Sequence, residues 1–200
     1  MSSEWVNYFG YGSLVNRDTR PKQESAVNIT LKGWQRVWNH RVSDSDGRQR
    51  CTSLSIEPAE AQIDGVLVRI PLKDLPDLDR RELGYQRLEL PVDSFIIDQA
   101  ALGEINGETN IDTVYVYQSL EENRNLADDQ HPLTQSYADC VMAGYLARFD
   151  DAGLQRLLHT TRGWERPMLN DRHQPTYPRS ITLPSEKQQQ FDALLNALRA

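Results

Sequence analysis

The chain has 200 residues, 38% hydrophobic and 26% charged, which reads as one globular domain over residues 1–200 and excludes a disordered or collagen-like chain. Lys and Arg number 22 against 29 Asp and Glu, so the net charge of −7 gives no general basis for holding a phosphate backbone, and nucleic acid is not expected as a partner. No stretch approaches the roughly 20 apolar residues of a spanning helix, the opening MSSEWVNYFG lacks an export signal's basic and apolar regions, and Cys51 and Cys140 lie far apart without metal-ligand spacing; a reduced cytoplasmic protein with no membrane partner is expected.

Val6 to Gly10 reads as a first strand, and Tyr11-Gly12-Ser13-Leu14 follows it with the small residues of a sharp turn. Val27 to Arg41 alternates in part, and Cys51 to Ile56 and Ile63 to Ile70 are further β-rich runs; the polar stretch 43–48 reads as a hairpin turn. Leu72 to Leu83 carries apolar residues at helical spacing around Pro76 and is expected to end near Gly84. Tyr85 to Val92 and Thr113 to Tyr117 read as strands flanking an irregular excursion at 98–112. From Ser136 the period changes: Tyr137, Val141 and Tyr145 share one helical face, and Leu154, Leu157 and Leu158 form a second stripe. Residues 160–184 hold four prolines and read as an irregular loop with exposed Trp164 and Tyr177, before a C-terminal helix over 186–199 with Ser185 at its N-cap.

Several chemistries lack their residues. Gly10, Gly12 and Val15 miss the third glycine of a dinucleotide fingerprint, and no GxxxxGK[ST] follows a strand. The four histidines form no HExxH or HxH pattern, and Ser13 is not in a GxSxG elbow, so neither a metal site nor a serine nucleophile is expected. The turn at 11–14 offers a row of backbone N–H groups that can hold a carboxylate, or it simply ends a strand. Glu82, between a helical turn and a strand, is a candidate proton shuttle if its surroundings are partly dry; the alternative is an ion pair with Arg80, Arg81 or Arg87.

Together, Tyr8-Phe9-Gly10-Tyr11-Gly12-Ser13-Leu14 and Leu78-Asp79-Arg80-Arg81-Glu82-Leu83-Gly84-Tyr85 resemble the γ-glutamylcyclotransferase-like family, with Ser136-Tyr137 and Gly144 similar to its C-terminal helix. The resemblance covers about residues 5–150. It implies an α+β fold, a small mixed β-barrel with surrounding helices. It further implies that the amides of Tyr11, Gly12, Ser13 and Leu14 face the α-carboxylate of a γ-glutamyl substrate, that Glu82 is the proton shuttle, and that Tyr85 and Tyr137 orient the substrate. The reaction so implied releases 5-oxoproline from glutathione or another γ-glutamyl amino acid or amine by intramolecular amine attack, without cofactor, in a monomer or homodimer. The Tyr-Gly-Ser-Leu loop, lacking an asparagine before the leucine, is closer to the glutathione-degrading branch. The competing readings are a noncatalytic module that binds a small γ-glutamyl or other carboxylate ligand, and an interaction protein using the 160–184 loop.

Overall fold

The computed structural model of the chain describes residues 5–21, 25–42, 50–97, 111 and 113–199. The turn expected at 43–48 lies outside the described residues, as does the 98–112 excursion apart from Ile111.

The strands in chain order are β1 (Trp5–Gly10), β2 (Ala26–Val42), β3 (Cys51–Pro71), β4 (Tyr85–Pro91), β5 (Phe95–Ile97), β6 (Thr113–Ser119), β7 (Leu133–Thr134), β8 (Thr161–Arg162) and β9 (Met168–Leu169). The helices are α1 (Leu75–Arg81), α2 (Gln135–His159) and α3 (Ser185–Arg199). β2 and β3 form a long antiparallel ribbon, with Val27 opposite Leu67, Leu31 opposite Ile63 and Val42 opposite Cys51. The two strands expected at Cys51 to Ile56 and Ile63 to Ile70 are therefore one. The polar stretch between them stays in the ladder, Gln62 opposite Lys32 and Glu57 opposite Gln35, because backbone pairing does not require apolar side chains. β6 inserts between β1, to which it is parallel, and β4, to which it is antiparallel. The order β4-β6-β1-β3-β2-β5, with β8 beside β2, gives a seven-stranded mixed sheet curled into a half barrel with helices around it, the α+β architecture expected.

The alternation of Val27, Ile29 and Leu31 buries one face of β2, but from Arg36 to His40 every residue is buried. There β8 pairs along the edge of β2 at Arg36 and Val37, and Trp164 of the 160–184 segment packs against Trp38. The expectation that Trp164 is exposed is corrected: it is 3% exposed, edge-on to Trp38 with ring centroids 4.9 Å apart. Tyr177 is half-buried against Tyr137 at 4.9 Å. Proline content marks irregular backbone but says nothing of burial, and the apolar wall of Trp38 rewards covering.

The two helical stripes beyond Ser136 lie in α2 on either side of Asp150, whose φ is 60°. Its Oδ1 accepts the amides of Ala152 (2.8 Å) and Gly153 (3.2 Å), so it ends one helical run and caps the next. Gly144 lets α2 approach the chain after the first turn: a Cβ there would meet the Asn16 amide nitrogen at 2.7 Å. Asn16 Nδ2 donates to the Cys140 carbonyl at 2.9 Å, tying that turn to the helix.

Candidate active site

The backbone after β1 turns sharply because Gly10 and Gly12 carry no side chain. A Cβ at Gly10 would meet Leu14 Cβ at 2.8 Å, and one at Gly12 would meet the Tyr137 hydroxyl at 3.0 Å. Ser13–Val15 then form one 3-10 turn closed by the Val15 amide on the Gly12 carbonyl at 3.1 Å. The amides of Gly12, Ser13 and Leu14 precede that first bond. The Tyr11 peptide is fixed from behind: its carbonyl accepts Arg36 Nε at 3.0 Å and lies 2.8 Å from the Tyr145 hydroxyl. Arg36 also donates to Thr160 Oγ1, the Asp64 carbonyl and the Tyr145 hydroxyl, so this buried guanidinium is satisfied by neutral oxygens.

Glu82 follows the last residue of α1; its amide donates to the Leu78 carbonyl at 3.0 Å, and its carbonyl accepts the Tyr85 amide at 3.0 Å. Gly84 makes this corner with φ +89°, where a Cβ would also strike His40 Cε1 at 2.9 Å. Of the three arginines weighed as partners, Arg81 is the one beside Glu82, with its Nε 3.2 Å from Oε1. Arg80 pairs with Asp77, and Arg87 with Asp79 at 2.5 Å. The Glu82 side chain is only 17% exposed, and burial pushes its carboxyl above the usual range despite the opposing charges of Arg81 and Arg179.

Glu82 lines a cavity of about 520 Å³ together with Ser13, Tyr85 and Tyr137, residues supplied by the turn after β1, the corner between α1 and β4, and the start of α2. The remaining loop residues stand behind this surface: Tyr11 and Leu14 are buried, and the Tyr11 hydroxyl donates to the Tyr117 carbonyl at 2.6 Å. The Tyr85 hydroxyl is likewise engaged, donating to the Leu54 carbonyl at 2.7 Å. Burial, with the negative charge of Glu82 as a further cause, raises the hydroxyls of Tyr11, Tyr85 and Tyr137 well above their ordinary value. All three are neutral at physiological pH and lie within electrostatic reach of one carboxylate.

The cavity also holds His40, Asn123 and Thr176, which sequence reasoning did not single out, together with Cys51, Tyr177 and Arg179. His40 stacks on Tyr85 at 3.8 Å, its Nδ1 is 2.9 Å from Ser119 Oγ, and burial pushes its imidazole down to about 4, so it is uncharged at neutral pH. Strand alternation gave no signal for it, because β2 is buried on both faces at that point. Tyr177 and Arg179 come from the 160–184 segment, whose proline pattern carries no spatial information. Among the described residues no three His, Cys, Asp or Glu side chains stand close enough to hold a metal ion, and no helix is long and apolar enough to cross a membrane.

No protein-family model matches the chain, and no curated protein sequence matches it. Solved structures do. An uncharacterized human protein and a protein named γ-glutamyl cyclotransferase each superpose with a TM-score of 0.59, at 14% and 15% identity; each match covers 95% of this chain and 99% of the other. YkqA from Bacillus subtilis superposes with a TM-score of 0.56 at 18% identity, over 79% of this chain and 54% of its own. At such identities the likeness is one of backbone path, and that path is the one the two early motifs implied. The chain has the γ-glutamyl cyclotransferase-like fold.

Proposed function

We propose that the protein is a γ-glutamyl cyclotransferase acting on glutathione or another γ-glutamyl amino acid or amine. The observation that carries this reading is the meeting of the Glu82 carboxylate and the turn at Ser13 in one cavity walled by Tyr85 and Tyr137. In the proposed reaction the amides of residues 11–14 hold the substrate's α-carboxylate, and Tyr85 and Tyr137 shape the space in which the γ-glutamyl chain folds back. Glu82 accepts a proton from the α-ammonium; the freed amine attacks the γ-carbonyl carbon. The new C–N bond closes a five-membered lactam and the old γ-amide C–N bond breaks; Glu82 returns the first proton to the departing nitrogen, and the second proton, which the attacking nitrogen sheds once bonded to carbon, passes to the same nitrogen. The products are 5-oxoproline and an ammonium ion, so atoms and charge balance without a cofactor.

Burial suits Glu82 to both proton transfers, since a carboxyl raised toward neutrality is a better base than an exposed one and a usable acid after the attack. Nucleophile and electrophile already share one molecule, so orientation supplies most of the acceleration. Purified protein incubated with glutathione, γ-glutamyl dipeptides and γ-glutamylamines is expected to release 5-oxoproline from at least one of them. Glu82→Gln is expected to lower that rate by about 10²- to 10⁴-fold with the circular dichroism spectrum unchanged. Thermal stabilisation by these compounds without product would instead identify a binding module.

A further inference from the structure

Arg36 is a buried cation that the proposed reaction leaves unused. It is 1% exposed in β2 and forms no ion pair with any carboxylate among the described residues. Its acceptors are the Tyr11 carbonyl (3.0 Å), Thr160 Oγ1 (3.0 Å), the Asp64 carbonyl and the Tyr145 hydroxyl, all uncharged. The Asp64 carboxylate is taken by Arg156 Nε at 2.6 Å and Thr30 Oγ1 at 3.0 Å. Tyr145 does not supply the missing negative charge, because burial pushes its hydroxyl up to about 12 against the pull of Arg36. Hydrogen bonds thus satisfy the donors of this guanidinium but leave its charge without a counter-ion, a costly state for a buried ion. An anion that arrives with a ligand would balance it.

The peptide that Arg36 grips says where such an anion would sit. The Tyr11 carbonyl points at Arg36 Nε and the Tyr145 hydroxyl, and the peptide is trans, so the Gly12 N–H points the opposite way, away from the guanidinium. Gly12 stands at the cavity wall: a Cβ there would meet the Tyr137 hydroxyl at 3.0 Å, and Tyr137 and Ser13 both line the cavity. Arg36 therefore lies one peptide unit behind the glycine turn, and its donation to the Tyr11 carbonyl polarises that peptide and strengthens the Gly12 N–H as a donor. The arginines on the cavity surface are otherwise provided for: Arg41 pairs with Asp128, Arg80 with Asp77 and Arg81 with Glu82, and Arg179 is exposed to solvent.

We propose that Arg36 is the counter-charge of the substrate's α-carboxylate, a positioning residue that acts through the Tyr11–Gly12 peptide and makes the turn select a carboxylate over a neutral carboxamide. This rests on the γ-glutamyl reading, in which the amides of residues 11–14 hold that carboxylate. Backbone amides alone can hydrogen-bond either group. A full positive charge fixed behind them in a dry interior attracts only the ionised one.

The test compares glutathione and γ-glutamyl-alanine, each beside its counterpart with the glutamyl α-carboxylate replaced by a carboxamide. Release of cysteinylglycine or alanine gives kcat/KM for the wild type, Arg36→Gln and Arg36→Lys, and comparing the carboxylate-to-carboxamide ratio across the three proteins cancels the intrinsic difference in reactivity. Arg36→Gln is expected to lower the ratio by ~10-fold or more, chiefly by raising KM for the carboxylate compound. Arg36→Lys keeps the charge and is expected to retain most of the ratio. The wild-type ratio itself is expected to hold from about 0.05 to about 0.5 M salt, since a buried charge is little screened; this measurement stands even where a variant does not fold. Equal losses on both compounds in Arg36→Gln would show that Arg36 only packs the turn. A wild-type ratio that falls several-fold with salt would place the opposing cation in an exposed side chain such as Arg179. Either result, or a wild type indifferent to the carboxamide, overturns the role of Arg36 and leaves the cyclotransferase reading intact, whereas no release from glutathione or γ-glutamyl-alanine overturns both.

Discussion

Glu82 is a carboxylate held where ionisation is disfavoured. Burial raises its carboxyl, and the neighbouring Arg81 and Arg179 only partly oppose that. A carboxyl whose folded-state value is raised contributes stability that is fully present below its unfolded value and is lost as pH rises through the folded one. Glu82→Gln removes that loss. Its melting temperature is therefore expected to exceed the wild type's at pH 7, with the difference shrinking by pH 4, where both side chains are neutral; calorimetry across this range checks it. A variant less stable at pH 7 than at pH 4 relative to wild type would mean that the Arg81 ion pair outweighs burial. The same residue was legible in the sequence as an acid at a helix-to-strand junction. Which of three arginines accompanies it was not, because Arg80, Arg81 and Arg87 are alike in sequence and are sorted only by where α1 and β4 point them.

The element that presents Glu82 is the corner between α1 and β4, and its geometry depends on Gly84. The φ of +89° is disfavoured for any L side chain, and the neighbouring His40 and Asn123 side chains leave no room for a Cβ. Gly84→Ala is expected to destabilise the protein by about 1–2 kcal/mol in denaturant titration. Because His40 stacks on Tyr85, the displaced imidazole is also expected to disturb the cavity wall and lower turnover. A fully active and fully stable Gly84→Ala protein would show that the corner has another way to turn. The glycine itself marks the end of the helix in the sequence, as a C-terminal glycine commonly does. The reason no other residue fits there comes from β2 and from the turn at Asn123, remote in the chain.

At the scale of the whole molecule, the 160–184 segment closes the site, and Asp171 fastens it. Its carboxylate accepts the Ser136 amide (2.7 Å) and hydroxyl (2.6 Å) at the start of α2, and the Thr176 amide (2.8 Å) and hydroxyl (2.6 Å) from its own segment. Burial pushes the Asp171 carboxyl up, but these four donors outweigh it and hold the group below its ordinary value. That stability is present above the unfolded carboxylate value and disappears as pH falls through the folded one. Asp171→Asn exchanges two accepting oxygens for one and is expected to cost about 2 kcal/mol. Limited proteolysis is expected to cut first within 160–184 in this variant, and KM is expected to rise more than kcat falls, since Tyr177 and Arg179 lose their placement while Glu82 keeps its own. Loss of kcat with an unchanged KM would contradict the covering role.

The sequence by itself determined the β-rich first part and helical end, the early glycine turn, the acid before Gly84 and the family these resemble. Those features are local: strand alternation, backbone freedom and helix termination are decided within a few residues. It did not determine that Trp164 is buried, that Cys51 to Pro71 is one strand, or that Arg36, His40 and Asp171 hold the site together. Those depend on which distant surface each residue meets, and only the curling of the sheet brings the turn after β1, the corner after α1, the start of α2 and the 160–184 segment around one space.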